Sequence, residues 1–274
     1  MISKTAYNYY KPKFLFVVPT LNSYELLPKL INTLNEQTYK FWRVIFVDGN
    51  SNEIHKAKLE MICESHQNFS VVNQPNNSKG IYDAMNIGLE EARINEWILF
   101  WGSDDFAYSN KVLEKLAKVI LDFKFKGISP EMIFSKALYV NSNNIKDTRK
   151  SFFTNNSFYK TIIGNDFKKL LFLGAVPPHQ GTLFNQKILY KVRGYSNKYS
   201  LAADLDFFLK LSNFNDILSI NNDFYIVKMG KGGVSAKYLK KRIKEVFMIY
   251  KKYFRNLWFI PFVFRYIRRI LINL

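Results

Sequence analysis

"WILFWGSDDFAYSN", residues 97–110, decides how the chain is read. Trp97 to Trp101 form an unbroken apolar run of strand length, the pattern of a strand buried on both faces. The run stops at Gly102-Ser103 and delivers two adjacent carboxylates, Asp104 and Asp105. Two negative charges at the mouth of a buried strand cost desolvation unless something positive meets them. A divalent cation bound with a diphosphate supplies that charge through oxygen ligands. An N-terminal cap for the helical "FAYSNKVLEKL" that follows would also place an acid here.

Upstream, "FLFVVPT" (14–20), "FWRVIFVDGNS" (41–51) and "FSVVNQ" (69–74) read as three further strands. Between them lie helical patterns: "SYELLPKLINTLNEQ" with Pro28 in its first turn, a polar segment carrying Leu59 and Ile62, and "IYDAMNIGLEEARI". This alternation predicts an α/β fold with a parallel sheet covered by helices on both faces. Ligands bind such sheets beyond the carboxyl ends of the strands. Those ends carry Pro19, Thr20, Leu21 and Asn22, then Asp48, Gly49, Asn50 and Ser51, then Ser103 and the two acids. Asp48 could accept an N–H from a nucleobase or fix its own turn. Lys79, before a helix amino end, suits phosphate oxygens, and a solvated lysine beside a glycine turn would look the same.

In the second half, "MIFSKALYV" (132–140) and "GTLFNQKILY" (181–190) read as strand material and "AADLDFFLKLSNF" (202–214) as a helix. Asp204 and Asp206 at its start are dipole-stabilising acids, or one is a general base. His179 and Gln180 follow two prolines in "PPHQGTLF"; a lone histidine serves structure or catalysis. Gly232 and Gly233 in "KGGVS" could let backbone approach a diphosphate, yet fit neither a Walker A loop nor a dinucleotide fingerprint. From Ala236 a basic amphipathic helix carries Leu239, Ile243, Val246, Phe247, Tyr250, Phe254 and Leu257 on one stripe.

Charge is segregated. The formal net charge is +18, and from Lys228 onward thirteen Lys/Arg face one acid, Glu245. The basic character therefore belongs mostly to the C-terminal segment, which suits nucleic acid, acidic lipid or an anionic substrate. "FRNLWFIPFVFRYIRRILINL" (254–274) is too broken by Pro261 and arginines to span a bilayer. Its aromatics and cations suit an anionic membrane surface, and equally a helix packed on the catalytic domain. The single cysteine, Cys63, excludes an internal disulfide and reads as a buried apolar residue. The N-terminus lacks a signal-peptide core, which predicts a cytoplasmic protein.

Taken in order, "VVPTLNS", "VDGNS", "KGIYDAMNIG", "GSDD", "PHQGTLF", "AADLDFFLKL" and "GGVS" resemble the family 2 glycosyltransferases, inverting enzymes of the GT-A fold. The likeness is greatest to bacterial enzymes that build surface polysaccharides. It implies a GT-A domain over 1–235, with a nucleotide-sugar half at about 14–110 and an acceptor half at about 111–235, followed by a tail at 236–274. By the same resemblance Pro19, Thr20, Leu21, Asn22, Asp48, Asn50, Lys79 and Asp104 bind a nucleotide, commonly a uridine diphosphate. Asp105, with Asp104, holds Mg²⁺ or Mn²⁺ as cofactor; Asp83, His179 and Gln180 meet donor or acceptor sugar; Gly232, Gly233 and Ser235 form a diphosphate loop. Asp204 is the implied base. Gly102-Ser103 stands where the family often has Asn or Asp before the acids, which leaves the number of carboxylate contacts open. Ala203 stands where Glu is frequent, as in the family's "AAD" subgroup.

The implied partners are a nucleotide-sugar donor, a saccharide or lipid-linked acceptor, and an anionic membrane at the inner face of the plasma membrane. Nucleic acid is not expected, because the tail's charge lies apart from the acid-lined strand ends. Nucleotidyl transfer to a sugar phosphate shares the sheet and the metal logic, but no glycine-rich, Arg/Lys-bearing loop follows the first strand.

Overall fold

Lys13–Thr20 alternates Phe14, Phe16 and Val18 with Leu15 and Val17, and all five are fully buried. A strand apolar on both faces needs cover on both. The two sets accordingly join two separate apolar clusters, one on each side of a sheet. The computed structural model describes residues 10–78, 80–141, 144–151, 153, 160–230 and 238–271. In it this strand, β1, runs parallel to β2 (Trp42–Asp48) and to β4 (Glu96–Phe100), and β3 (Phe69–Asn73) lies parallel beyond β2.

One face of this parallel block is covered by α1 (Leu27–Asn35), α2 (Glu53–Glu64) and α4 (Val112–Phe125). The other face carries α3 (Ile81–Glu90). Gly88 lets α3 approach β1 closely, since a Cβ there would lie 2.2 Å from a Val17 methyl. Cys63 of α2 is half-buried rather than enclosed; burial pushes its thiol up to about 11, with Glu60 adding to the rise.

Past β4 the sheet becomes mixed. β9 (Thr182–Asn185) runs antiparallel to both β4 and β6 (Met132–Asn141), and β6 runs parallel to β10 (Leu218–Gly230). β5 (Phe106–Ala107) closes the order β3-β2-β1-β4-β9-β6-β10-β5, while β7 (Asn144–Ser151) pairs with β6 and β8 (Lys160–Ile163) with β10. Of "GTLFNQKILY" only the first part is strand. The Asn185 side chain accepts from the Lys187 N–H and starts a 3-10 turn over Gln186–Tyr190.

α5 (Gly164–Phe172), α6 (Ala203–Leu211) and α7 (Leu239–Phe254) pack on the α3 side. Val246, Ile249 and Tyr250 of α7 are core residues, whereas Leu239 and Leu257 of the expected stripe are exposed. α8 (Phe259–Leu271) follows, with Pro261 and Arg265 buried. Among the described residues no helix is long and apolar enough to cross a membrane.

Candidate active site

Parallel pairing brings the polar strand ends level, with Thr20 opposite Asp48 and Asp48 opposite Asn73. Asp48 is buried, and its own turn satisfies it: Oδ2 accepts the Ser51 N–H at 2.8 Å and Oδ1 the Ser51 hydroxyl at 2.5 Å. Asn22 and Asn50 occupy the left-handed region, at φ 48° and 64°. Asn22 locks the two loops together, donating its N–H to Ser51 Oγ at 2.7 Å and accepting the Asn52 N–H at 2.9 Å. Leu21 is exposed beside them, and the Ser103 hydroxyl donates to the Pro19 carbonyl at 3.2 Å. The residues that fix these turns thus line one rim at the carboxyl ends of the strands.

The acid pair splits in two. Asp104 is exposed; Asp105 is buried and accepts the Gly102 N–H at 2.6 Å. Burial raises the Asp105 pKa well above the carboxylate range, the Asp104 charge raises it further, and the Gly102 bond pulls the other way. Neither acid caps a helix. α4 starts after Lys111 without a side-chain cap, and Gln37 Oε1 accepts the Leu113 N–H there at 3.1 Å. Glycines clear space around Asp104, since a Cβ on Gly102 or Gly230 would lie 2.9 or 2.1 Å from its carboxylate oxygens.

The PHQG segment is tied to the end of β4. Trp101 Nε1 donates to the Gln180 carbonyl at 3.0 Å, and His179 stacks on Phe100 with ring centroids 5.3 Å apart. His179 Nε2 lies 2.7 Å from the Tyr195 hydroxyl, and burial lowers its pKa to about 4, against a smaller opposing pull from Asp204. The imidazole is therefore neutral near pH 7 and part of an aromatic cluster. Asn86 clamps the Tyr195 main chain, accepting its N–H at 2.7 Å and donating to its carbonyl at 3.0 Å. Asp83 lies one turn before Asn86 on α3, half-buried.

At the start of α6 the two acids have different surroundings. Asp206 is fully buried, with Lys252 at 2.8 Å, Lys210 at 3.3 Å and the Tyr253 hydroxyl at 3.1 Å. That carboxylate holds α7 to α6. Asp204 instead lines a pocket with His179, Gln180, Arg149, Arg265 and Arg268, and accepts the Tyr82 hydroxyl at 3.3 Å. Burial raises the Tyr82 pKa well above the phenol range, and Asp204 adds to it, so Tyr82 stays a neutral donor. Glu245 of α7 frames the approach to α6: it accepts the Ser200 N–H and hydroxyl at 3.1 and 3.0 Å and the Leu201 and Ala202 N–H groups at 2.8 and 3.0 Å.

Residues 15–190 match Glycosyl transferase family 2. The chain belongs to that family. It is 24% identical over 196 residues to the PGL/p-HBAD biosynthesis glycosyltransferase of Mycobacterium bovis, covering 72% of this chain and 68% of that protein. It is 23% identical over 178 residues to the GalNAc(5)-diNAcBac-PP-undecaprenol beta-1,3-glucosyltransferase of Campylobacter jejuni, covering 57% of each. S. aureus TarS in complex with UDP-GlcNAc superposes with a TM-score of 0.65 at 20% identity, over 87% of this chain and 65% of that one. The mannosyltransferase PcManGT from Pyrobaculum calidifontis in complex with GDP-Man and Mn²⁺ gives 0.62 at 16% identity, over 97% and 72%.

This glycosyltransferase therefore has the GT-A fold, and the parallel block expected at its amino-terminal half is present. Two oxygen-bearing side chains on one turn suit Mg²⁺ or Mn²⁺. Among the described residues no group of three or more His, Cys, Asp and Glu gathers. Asp105, buried and with no ion pair to a cationic side chain among the described residues, fits a cation. Lys79, Gly232, Gly233 and Ser235 lie outside the described residues. Tyr82, Asn86, Tyr195 and Glu245 escaped the sequence reading, although Asn86 stands inside "DAMN" and Glu245 is the one acid of the basic tail.

Proposed function

We propose that this glycosyltransferase moves a sugar, with inversion, from a UDP-linked donor to a hydroxyl of a saccharide or lipid-linked saccharide during surface polysaccharide synthesis. The observation that carries the proposal is the contrast between Asp204 and Asp206: one carboxylate is consumed by Lys252 and Lys210, the other opens into a pocket. The rim at Pro19–Asn22, Asp48, Asn50 and Asp104 takes the nucleoside, and residues 14–110 form the donor half. Neighbours of the same fold include complexes with UDP-GlcNAc and with GDP-Man and Mn²⁺.

Asp105 and Asp104 would hold Mg²⁺ or Mn²⁺, which when bound neutralises charge on the diphosphate. Asp204 removes the proton of the acceptor hydroxyl, held in place by the Tyr82 hydroxyl. The freed oxygen attacks the anomeric carbon opposite the leaving diphosphate, whose C–O bond breaks as the new one forms. Orientation and electrostatics supply most of the acceleration, and the base contributes roughly 10²–10⁴-fold.

α8 adds a location. Phe259, Val263, Phe264, Ile267, Ile270 and Leu271 fall in one sector of the helix and are 44–65% exposed, while Arg265 points inward. Apolar residues outward, on a helix flanked by the cations of α7, support residence at an anionic membrane surface, on the cytoplasmic side in this proposal.

The test is a screen of nucleotide-sugars for thermal stabilisation in Mn²⁺ against EDTA, followed by product analysis. A UDP-sugar should stabilise only with metal, with UDP released in turnover; released pyrophosphate would instead indicate nucleotidyl transfer. Asp204→Asn should lower transfer by roughly 10²–10⁴-fold with UDP binding kept.

A further inference from the structure

We infer that the Asp204 pocket binds a phosphate group carried by the acceptor, with Arg265, Arg268 and Arg149 as its anion site. This rests on the proposed role of Asp204 as base. Five cationic side chains, Arg149, Lys150, Arg265, Arg268 and Arg269, line the same pocket as that single carboxylate. Among the described residues one acid faces Arg149, Lys150, Arg265 and Arg268 as well as Arg269, an excess of positive charge that suits a further anion.

Arg265 is the decisive residue. It is 9% exposed; its guanidinium meets the Tyr250 hydroxyl, while its Nη1 has no hydrogen-bond partner among the described residues. A buried guanidinium N–H left unsatisfied is costly. Its placement is not that of a loose tail: Gly174, at φ 74°, has the α8 backbone so close that a Cβ would lie 2.4 Å from the Arg265 nitrogen. Repulsion from Arg265, before burial, lowers the Arg269 pKa to about 10. Arg268 is anchored by its bond to the Phe153 carbonyl at 2.6 Å, and Arg149 lies over the Tyr139 ring at 4.1 Å. Guanidinium groups held in this way match phosphate oxygens by paired N–H donation.

The described lining of the pocket favours the acceptor over the donor as the source of this anion. The pocket is lined from Gly174 to Gln180, from β6 and β7, from Asp204 and from α8, and takes nothing from the β1, β2 and β4 ends. In this proposal the bound phosphate belongs to the acceptor. A lipid-linked diphosphate and a water-soluble sugar phosphate share this chemistry; the apolar face that α8 turns outward, on the same helix that supplies Arg265 and Arg268 to the pocket, favours the first.

The experiment measures binding to the full chain in EDTA of inorganic pyrophosphate, farnesyl diphosphate and farnesol. Arg149→Ala and Arg265→Gln are compared with the wild type, with circular dichroism confirming the fold; exposed Arg149 keeps the test valid if Arg265→Gln does not fold. Both diphosphates should bind, farnesol should not, and each variant should weaken binding by about tenfold or more. Tighter binding of farnesyl diphosphate than of pyrophosphate assigns a lipid-linked acceptor, and equal binding a water-soluble one. No pyrophosphate binding at about 1 mM, or binding unchanged by Arg149→Ala, overturns the inference. Mn²⁺-dependent UDP binding, measured beside these, reports separately on the donor reading.

Discussion

The Glu245 carboxylate on α7 accepts the backbone N–H of Ala202, the residue that precedes α6, at 3.0 Å. Through this bond and its companions to Ser200 and Leu201, a helix from the basic C-terminal segment holds the turn that presents Asp204. The segment is therefore tied to the candidate site by hydrogen bonds as well as by apolar packing.

Glu245→Ala leaves the Ala202 and Leu201 N–H groups without their acceptor in a buried and a partly buried place, and the exposed Ser200 donors open to water. We expect a loss on the order of 3 kcal/mol, since one unsatisfied buried group costs about 1–3 kcal/mol and water relieves part of the rest. Glu245→Gln keeps an acceptor oxygen and should lose less. Denaturant unfolding checks the stability, and transfer should fall in step while Mn²⁺-dependent UDP binding stays. Equal stability of Glu245→Ala and wild type would mean that the turn holds itself.

His179 makes stability depend on pH. Its folded pKa of about 4 lies below the ordinary histidine value, chiefly through burial, so the unfolded chain takes up the proton first as the pH falls. Stability present above pH ~6.5 is lost as the pH drops toward about 4, by up to roughly 3 kcal/mol. His179→Phe loses the contact to the Tyr195 hydroxyl and should be less stable than wild type at pH 7. The difference should narrow by pH 5, because the variant lacks the proton penalty. A gap independent of pH would contradict a neutral buried imidazole.

The parallel block was legible because its strands are apolar on both faces and its helices carry regular stripes, as in Leu27, Leu30, Ile31 and Leu34 of α1. The polar residues that bound it mark the strand ends. β10 was not legible: Asn221, Asn222 and Asp223 interrupt its apolar pattern, and the register with β6 shifts between Asn221 and Tyr225. α5 was missed because its buried face is only Gly164, Phe167 and Leu171. At the site, Asp204 and the acid pair carry local motifs. Arg265 and Glu245 do not, since their roles arise from long-range packing that periodicity does not encode.

Gly230 and Asp104 meet where β10 ends. A Cβ at Gly230 would lie 2.1 Å from Asp104 Oδ2, the end of an exposed side chain that can swing away. Gly230→Ala should therefore change stability by about 1 kcal/mol or less while displacing the carboxylate. The expected outcome is weaker Mn²⁺-dependent UDP binding, by about tenfold, with an unchanged unfolding transition. If stability falls by several kcal/mol instead, β10 and not Asp104 has given way.

Asp105 combines the metal and pH dependences. Burial and the Asp104 charge hold its folded pKa above the unfolded value of about 3.9. As pH rises through that value the unfolded chain ionises first, so the metal-free protein loses stability until the pH passes the folded pKa. Asp105→Asn removes the ionisation, and its side-chain oxygen can still accept the Gly102 N–H. In EDTA the variant should equal the wild type near pH 4 and melt several degrees higher at pH 8, about what 1 kcal/mol or more gives in a domain of this size. Addition of Mn²⁺ and UDP should reverse the order, stabilising the wild type and leaving the variant unchanged. Melting scans at the two pH values, with and without Mn²⁺ and UDP, measure both effects. A variant that is less stable in EDTA at pH 8 would show that the Asp105 carboxylate supports the fold without a cation.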